Sequence, residues 1–170
     1  MPYTGHQHEI HRFLEVAGLV GATLVTLEPR LQVTAADRAE AAAALAEDDR
    51  PLVVLHPGAN DPRRRWPVER LAVVGSELAR KGARLAAAVG TATVAVYWCA
   101  SLGSYGPLSR VRHRAPTAWR LHCPVCGVNG LQQDCRSSHD ASLVADVTTD
   151  EVLAEALDLL ATETARASAR

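Results

Sequence analysis

The sequence predicts an α/β domain with a small parallel sheet, and three stretches carry that prediction. Leu52, Val53, Val54 and Leu55 form an unbroken apolar run, the pattern of a central strand buried on both faces rather than of a half-exposed, alternating one. Residues 68–80 follow with Leu71, Val74 and Leu78 on one helical stripe and Gly82 placed to cap the end. Residues 91–98, TATVAVYW, then give a second strand rich in β-branched side chains. With the helix as a right-handed crossover, residues 52–55 and 93–97 are expected to lie parallel in one sheet.

The other elements follow in chain order. Ile10, Phe13, Leu14, Ala17 and Leu19 recur at three-four spacing, which predicts a helix over 8–19 ended by Gly21. Leu24, Val25 and Leu27 offer a short strand that Pro29 stops. Thr34 is placed as the N-cap of an Ala-rich helix reaching Glu47, with Asp37 as its partner three residues on. Residues 83–90 read as a second helical pattern separated from the first only by Gly82, where a doubly wound domain needs a strand. From Cys99 to Asn129 the chain reads mostly as loop, punctuated by Gly103, Gly106, Pro107 and Pro116. Thr148 and Glu151 have capping-box spacing and open a helix to Thr162, with Val152, Leu153, Ala156, Leu157 and Leu160 inward. Residues 165–170 are expected to fray.

Composition narrows the classes of function. A chain of 170 residues, 48% hydrophobic and 22% charged, suits one globular domain, or one domain with an appendage. Aromatics make up only 4%, so the core must be built from Ala, Val and Leu. A net charge of −1 gives no general attraction to nucleic acid or to an anionic membrane, so anion binding has to be local. No apolar run reaches the roughly 18 residues of a membrane span, and the start has no signal-peptide pattern, so the expected location is cytoplasmic.

Two constellations carry chemistry. The first is PLVVLHPGANDPRRRWP, residues 51–67. His56, Pro57, Gly58 and Ala59 make a tight loop at the carboxyl end of a strand, where open α/β sheets bind ligands. Arg63, Arg64 and Arg65 supply guanidinium forks suited to phosphate oxygens, just before Trp66-Pro67 opens a helix. Solvated surface charge is the ordinary reading of such a run, but its position favours a phosphate role for at least one arginine. Trp66 is expected to staple the helix start rather than to touch a ligand. His56 lines the pocket without a neighbour in sequence to orient it.

The second constellation is Cys123, Cys126, Cys135 and His139. Their spacing permits a closed tetrahedral zinc site, which would be structural because four protein ligands leave no position for water. Reduced loop thiols beside a solvent-facing histidine are the equal alternative. His122 and Cys99 are spare ligands. The run His6, His8, His11 is disfavoured as a metal stripe for want of a carboxylate-rich partner segment. Asp140, Asp146 and Asp150 read as caps and turn residues.

Four stretches in order, HEIHRFLEVAGLVGA, HPGA…RRRWPVERLAVVGSELARKGAR, LAAAVGTATVAVYW and CPVCGVNGLQQDC…H…VADVTTDEVLAEAL, resemble glycosyltransferase family 9, the ADP-heptose:lipopolysaccharide heptosyltransferases and their relatives. The resemblance implies a partial Rossmann-like fold, the carboxyl-terminal domain of the GT-B type. It also implies sugar transfer from an ADP-heptose-like nucleotide-sugar donor to a lipopolysaccharide-type or other saccharide acceptor, with no catalytic cofactor, no nucleic acid partner, and a cytoplasmic location, peripheral to the inner membrane where the acceptor lies. By the same resemblance the basic residue two before the Trp-Pro pair, Arg64, contacts the donor phosphates. Arg65, Gly58 and Ala59 complete that site, and His56, Pro57 and Trp66 line it.

The sequence departs from the family in two places. The Asp-Thr-Gly-Pro-x-His-type motif that precedes the LAAAVG stretch in relatives is absent, and Arg84 runs directly into Leu85. The family's catalytic carboxylate belongs to an amino-terminal domain of which only residues 3–47 find a match, so no catalytic residue is assigned. The expected division is therefore 1–50 as the end of that domain and a linker helix, 51–164 as the donor-binding domain shortened near 84–85, and 165–170 as a tail. An incomplete or inactive glycosyltransferase is the first expectation. A small zinc-stapled α/β binding module, or a gene remnant without function, are the alternatives.

Overall fold

The computed structural model describes residues 7–23, 26–27, 32–44, 50–85, 92–131 and 138–168. The elements are α1 (Glu9–Gly18), α2 (Ala35–Ala44), β1 (Leu52–Val53), α3 (Val68–Arg80), β2 (Arg84–Leu85), β3 (Thr93–Val94), β4 (Tyr97–Trp98), α4 (Cys99–Tyr105), β5 (His113–Arg114), β6 (Thr117–Ala118) and α5 (Thr149–Ser168), with a 3-10 turn at Pro62–Arg64. The class is mixed α/β, and every strand pair described is parallel.

The expected single sheet is not what forms. β1 pairs with β2, β3 with β5 and β4 with β6, so residues 52–53 and 93–98 fall in separate two-stranded sheets. The helix α3 still makes a parallel crossover, but it leads from β1 to β2 at Arg84–Leu85, where the sequence suggested helix. Its capping is as expected: Gly82 has φ +91, and the Ala83 amide donates to Leu78 O at 3.0 Å, the left-handed end that glycine permits. Residues 86–91, the rest of that helical pattern, lie outside the described residues, as do 24–25 of the short strand candidate. β1 ends at Val53, and residues 52–55 are half-buried rather than covered on both faces.

Residues 93–98 do run as one extended segment beside 112–118. The Thr93, Ala95 and Tyr97 amides donate in turn to Arg112, Arg114 and Pro116 carbonyls at 2.9, 3.0 and 2.9 Å. Pro116 has no N–H to return, which interrupts the ladder and divides one expected strand into β3 and β4. Much of the stretch expected as loop is therefore ordered: α4, β5 and β6 all lie within it.

The core sits where α3 meets α5 over Trp98 and the 143–147 segment. Val74, Leu78, Ala83, Trp98, Ala118, Leu143, Val144, Val147 and Val152 are its buried members. It is aliphatic apart from Trp98, as the composition required. The Trp98 indole donates to Arg120 O at 2.6 Å, and its ring lies so close to Gly130 that a Cβ there would stand 3.1 Å from it. α5 begins with the expected capping box: the Thr148 amide donates to Glu151 Oε2 at 2.7 Å, and the Glu151 amide to Thr148 Oγ1 at 3.2 Å. It continues past Thr162 to Ser168, its last turns tied to the sheet by Arg112–Glu163 at 2.8 Å.

α1 forms as expected, yet none of its residues is buried. Phe13 is 69% exposed, whereas Ile10, Leu14 and Ala17 on the same stripe are half-buried and the helix meets α4. His8 adds a polar tie: it caps the helix by accepting from the Ile10 amide at Nδ1, 3.2 Å, which leaves Nε2 to donate to Gly106 O at 2.8 Å. Both ring nitrogens are thereby occupied, and His8 is a cap rather than a metal ligand.

Candidate functional site

The arginine loop is organised by an acid that sequence reasoning overlooked. Asp61 caps the Pro62–Arg64 turn, accepting from the Arg63 amide at 3.0 Å. It also takes a two-pronged bond from the Arg63 guanidinium, Nε–Oδ1 3.0 Å and NH2–Oδ2 2.8 Å. These bonds hold its carboxyl below the ordinary carboxylate range, against partial burial. The signal was present in Asp61-Pro62, an N-cap residue directly before a proline at the first turn position.

The three arginines consequently differ. Arg63 is spent on Asp61. Arg65 donates Nε to Ala59 O at 2.9 Å, closing the loop on itself, and is not part of the cavity lining. Arg64 is left with a distant ion pair to Asp61 at 3.8 Å and a side chain 47% exposed. It lines a cavity of about 810 Å³ together with His56, Pro57, Gly58, Ala59 and Trp66. Six of the seven residues expected at the donor site thus share one cavity, and Arg65 is the exception.

This cavity is walled on one side by residues 51–59 and on another by 92–98, which contain the two strands expected in one sheet. Its interior is mostly aliphatic, with Leu71, Val74, Leu78 and Leu159 contributing. Charge enters at Arg64 and at the Arg112–Glu163 pair. Tyr97 also lines it, and burial raises that phenol above its ordinary pKa, so it stays protonated as a donor. Trp66 behaves as expected of a staple: its indole donates to Val147 O at 3.0 Å and packs on the core while one face meets the cavity. Arg70 adds a second tie, donating to Ala145 O at 2.6 Å and Val147 O at 2.8 Å. No local sequence signal marks these contacts, which span more than seventy residues.

The sulfur cluster forms at the other side of the arginine loop. Ligand atoms of Cys123, Cys126 and His139 all lie within 4.8 Å of one another. The cysteines sit on a tight turn: the Gly127 amide donates to Cys123 O at 2.9 Å, the Cys123 amide to Val128 O at 2.8 Å, and Gly127 takes φ +71. Only glycine adopts that conformation without strain. His122 forms a backbone bridge to Asn129 across the turn and is not among the clustered ligands. Cys135, the expected fourth ligand, and His6 lie outside the described residues. Asp146 pairs with Arg120 at 2.7 Å, a structural role. No family model, no curated protein and no solved structure matches this chain.

Proposed function

We propose that this chain is the donor-side domain of a glycosyltransferase of the heptosyltransferase type, binding an ADP-sugar-like nucleotide-sugar for transfer to a saccharide acceptor. One observation carries the reading: Arg64 is the arginine of its cluster that is neither bound to a carbonyl nor locked on a carboxylate, and it stands on the cavity at the carboxyl end of β1. The geometry suits a phosphate. α3 begins one residue beyond Trp66-Pro67 with no side chain capping it, so its first amides add partial positive charge nearby. The aliphatic interior suits the less polar parts of a nucleotide. The sequence resemblance names the donor class.

Among the described residues no side chain hydrogen-bonds the His56 ring, so it is not oriented as a general base. Such a base is worth about 10²–10⁴ in rate, and this chain alone is expected to show no sugar transfer. Binding is the testable property. Titration with ADP, followed through tryptophan fluorescence, should give a dissociation constant on the order of 1 mM at low salt, weakening several-fold above about 0.3 M salt as the exposed charge is screened. Adenosine should bind less well than ADP. Equal affinity for the two, or no dependence on salt, would refute a phosphate contact.

The Cys123, Cys126 and His139 cluster favours a second reading, a small α/β binding module stapled by zinc. That reading predicts bound metal with no nucleotide affinity. Among the described residues no helix is long and apolar enough to cross a membrane, which accords with either.

A further inference from the structure

We propose that Cys123, Cys126 and His139 hold a zinc ion and that ligation through His139 fixes the arginine loop from behind. The chemistry of the donor set is right for zinc: two thiolates and an imidazole are borderline-soft ligands, and among the described residues no carboxylate belongs to the cluster. In a tetrahedral site such atoms stand about 3.5–3.8 Å apart, given Zn–S and Zn–N lengths of about 2.3 and 2.0 Å. The observed spread of up to 4.8 Å needs only about 1 Å of closure. The glycine-ended turn brings both sulfurs within 4.8 Å of each other.

The mechanical consequence follows from what is attached to His139. Four residues on, the Leu143 amide donates to Arg63 O at 2.8 Å, and Ser142 Oγ donates to Arg65 O at 2.8 Å. Leu143 and Val144 then enter the core. Segment 139–143 is thus a strap with one end in the sulfur cluster and the other in the core, and it clasps the arginine loop on both sides of Arg64. The cysteine turn at its far end is itself anchored, because Gly130 packs on the Trp98 ring and its amide donates to Leu121 O at 2.7 Å. A zinc ion would draw His139 onto the anchored turn and tighten the strap. Nothing in this depends on what the cavity binds.

The full chain, purified under reducing conditions, is analysed for metal and for amide hydrogen exchange with and without chelation. The expected result is about one equivalent of zinc, falling below about a tenth in Cys126→Ser and in His139→Ala. Cys126 is exposed, so its substitution leaves the core intact. Removing the metal from the unaltered chain should speed exchange at the Leu143 amide by about tenfold or more, while Val74 and Leu78 in α3 stay within about twofold. Less than about a tenth of an equivalent in the unaltered chain would overturn the metal site. Zinc binding with unchanged exchange at Leu143 would overturn the clasp, and so would loss of protection across α3, which would make the metal a determinant of the whole fold.

Discussion

Arg64 is set apart from its two neighbours by one carboxylate and one backbone carbonyl. Asp61 takes Arg63 and shapes the turn, and Ala59 O takes Arg65, so position rather than residue type decides which guanidinium faces the cavity. The location of this cluster was legible in the sequence, because an apolar run, a glycine loop and a helix start bracket it. Which arginine keeps no side-chain hydrogen bond within the loop and only a distant ion pair was not, since that depends on the curl of the Pro62–Arg64 turn. Asp61 also predicts an acid response. Its carboxyl is more acidic folded than unfolded, so the stabilisation is complete above the ordinary carboxylate pKa of 3.8 and fades as pH falls through the lower folded value. Asp61→Asn should lower urea stability by about 1 kcal/mol at neutral pH, given a partly exposed pair, with the gap closing as pH falls below the ordinary carboxylate range. A gap that persists in acid would assign the effect to the turn cap alone.

At the scale of elements, four helices and the positions of β1, β3 and β4 were readable, whereas α4 and the pairing of the strands were not. α1, α2, α3 and α5 all announce themselves through caps and three-four spacing, which are local properties. Strand pairing is not local: Pro116 cuts β3 from β4 from a partner segment about twenty residues away, and β2 has only two residues to show. Two similar caps make a direct comparison of local and global stability. Thr34 and Thr148 each form the same reciprocal bonds with an acid three residues on. α2 is exposed throughout its described side chains, whereas α5 contributes Val152 and Leu159 to the buried set. Thr148→Ala should therefore cost about 1 kcal/mol of global stability, while Thr34→Ala should only fray α2 and leave the main unfolding midpoint unchanged. Equal shifts in denaturant unfolding would show that α2 is coupled to the core.

For the molecule as a whole, the arrangement is an aliphatic core between α3 and α5, an arginine loop on its rim, a cavity on one side of that loop and a cysteine–histidine cluster on the other. The cavity lies between segments 51–59 and 92–98, which contain the two strands that sequence reasoning expected in one sheet. The central claim is that this cavity receives a phosphate at Arg64. Comparing ADP affinity of the unaltered chain with Arg63→Ala, Arg64→Ala and Arg65→Ala under one low-salt buffer tests it most directly. Arg64→Ala should reduce affinity by about fivefold or more, the loss of one charge-assisted contact at a partly exposed site, while Arg65→Ala, whose guanidinium faces Ala59 O, should change it by less than about twofold. Affinity unchanged by Arg64→Ala, or abolished only by Arg63→Ala or Arg65→Ala, would contradict the account.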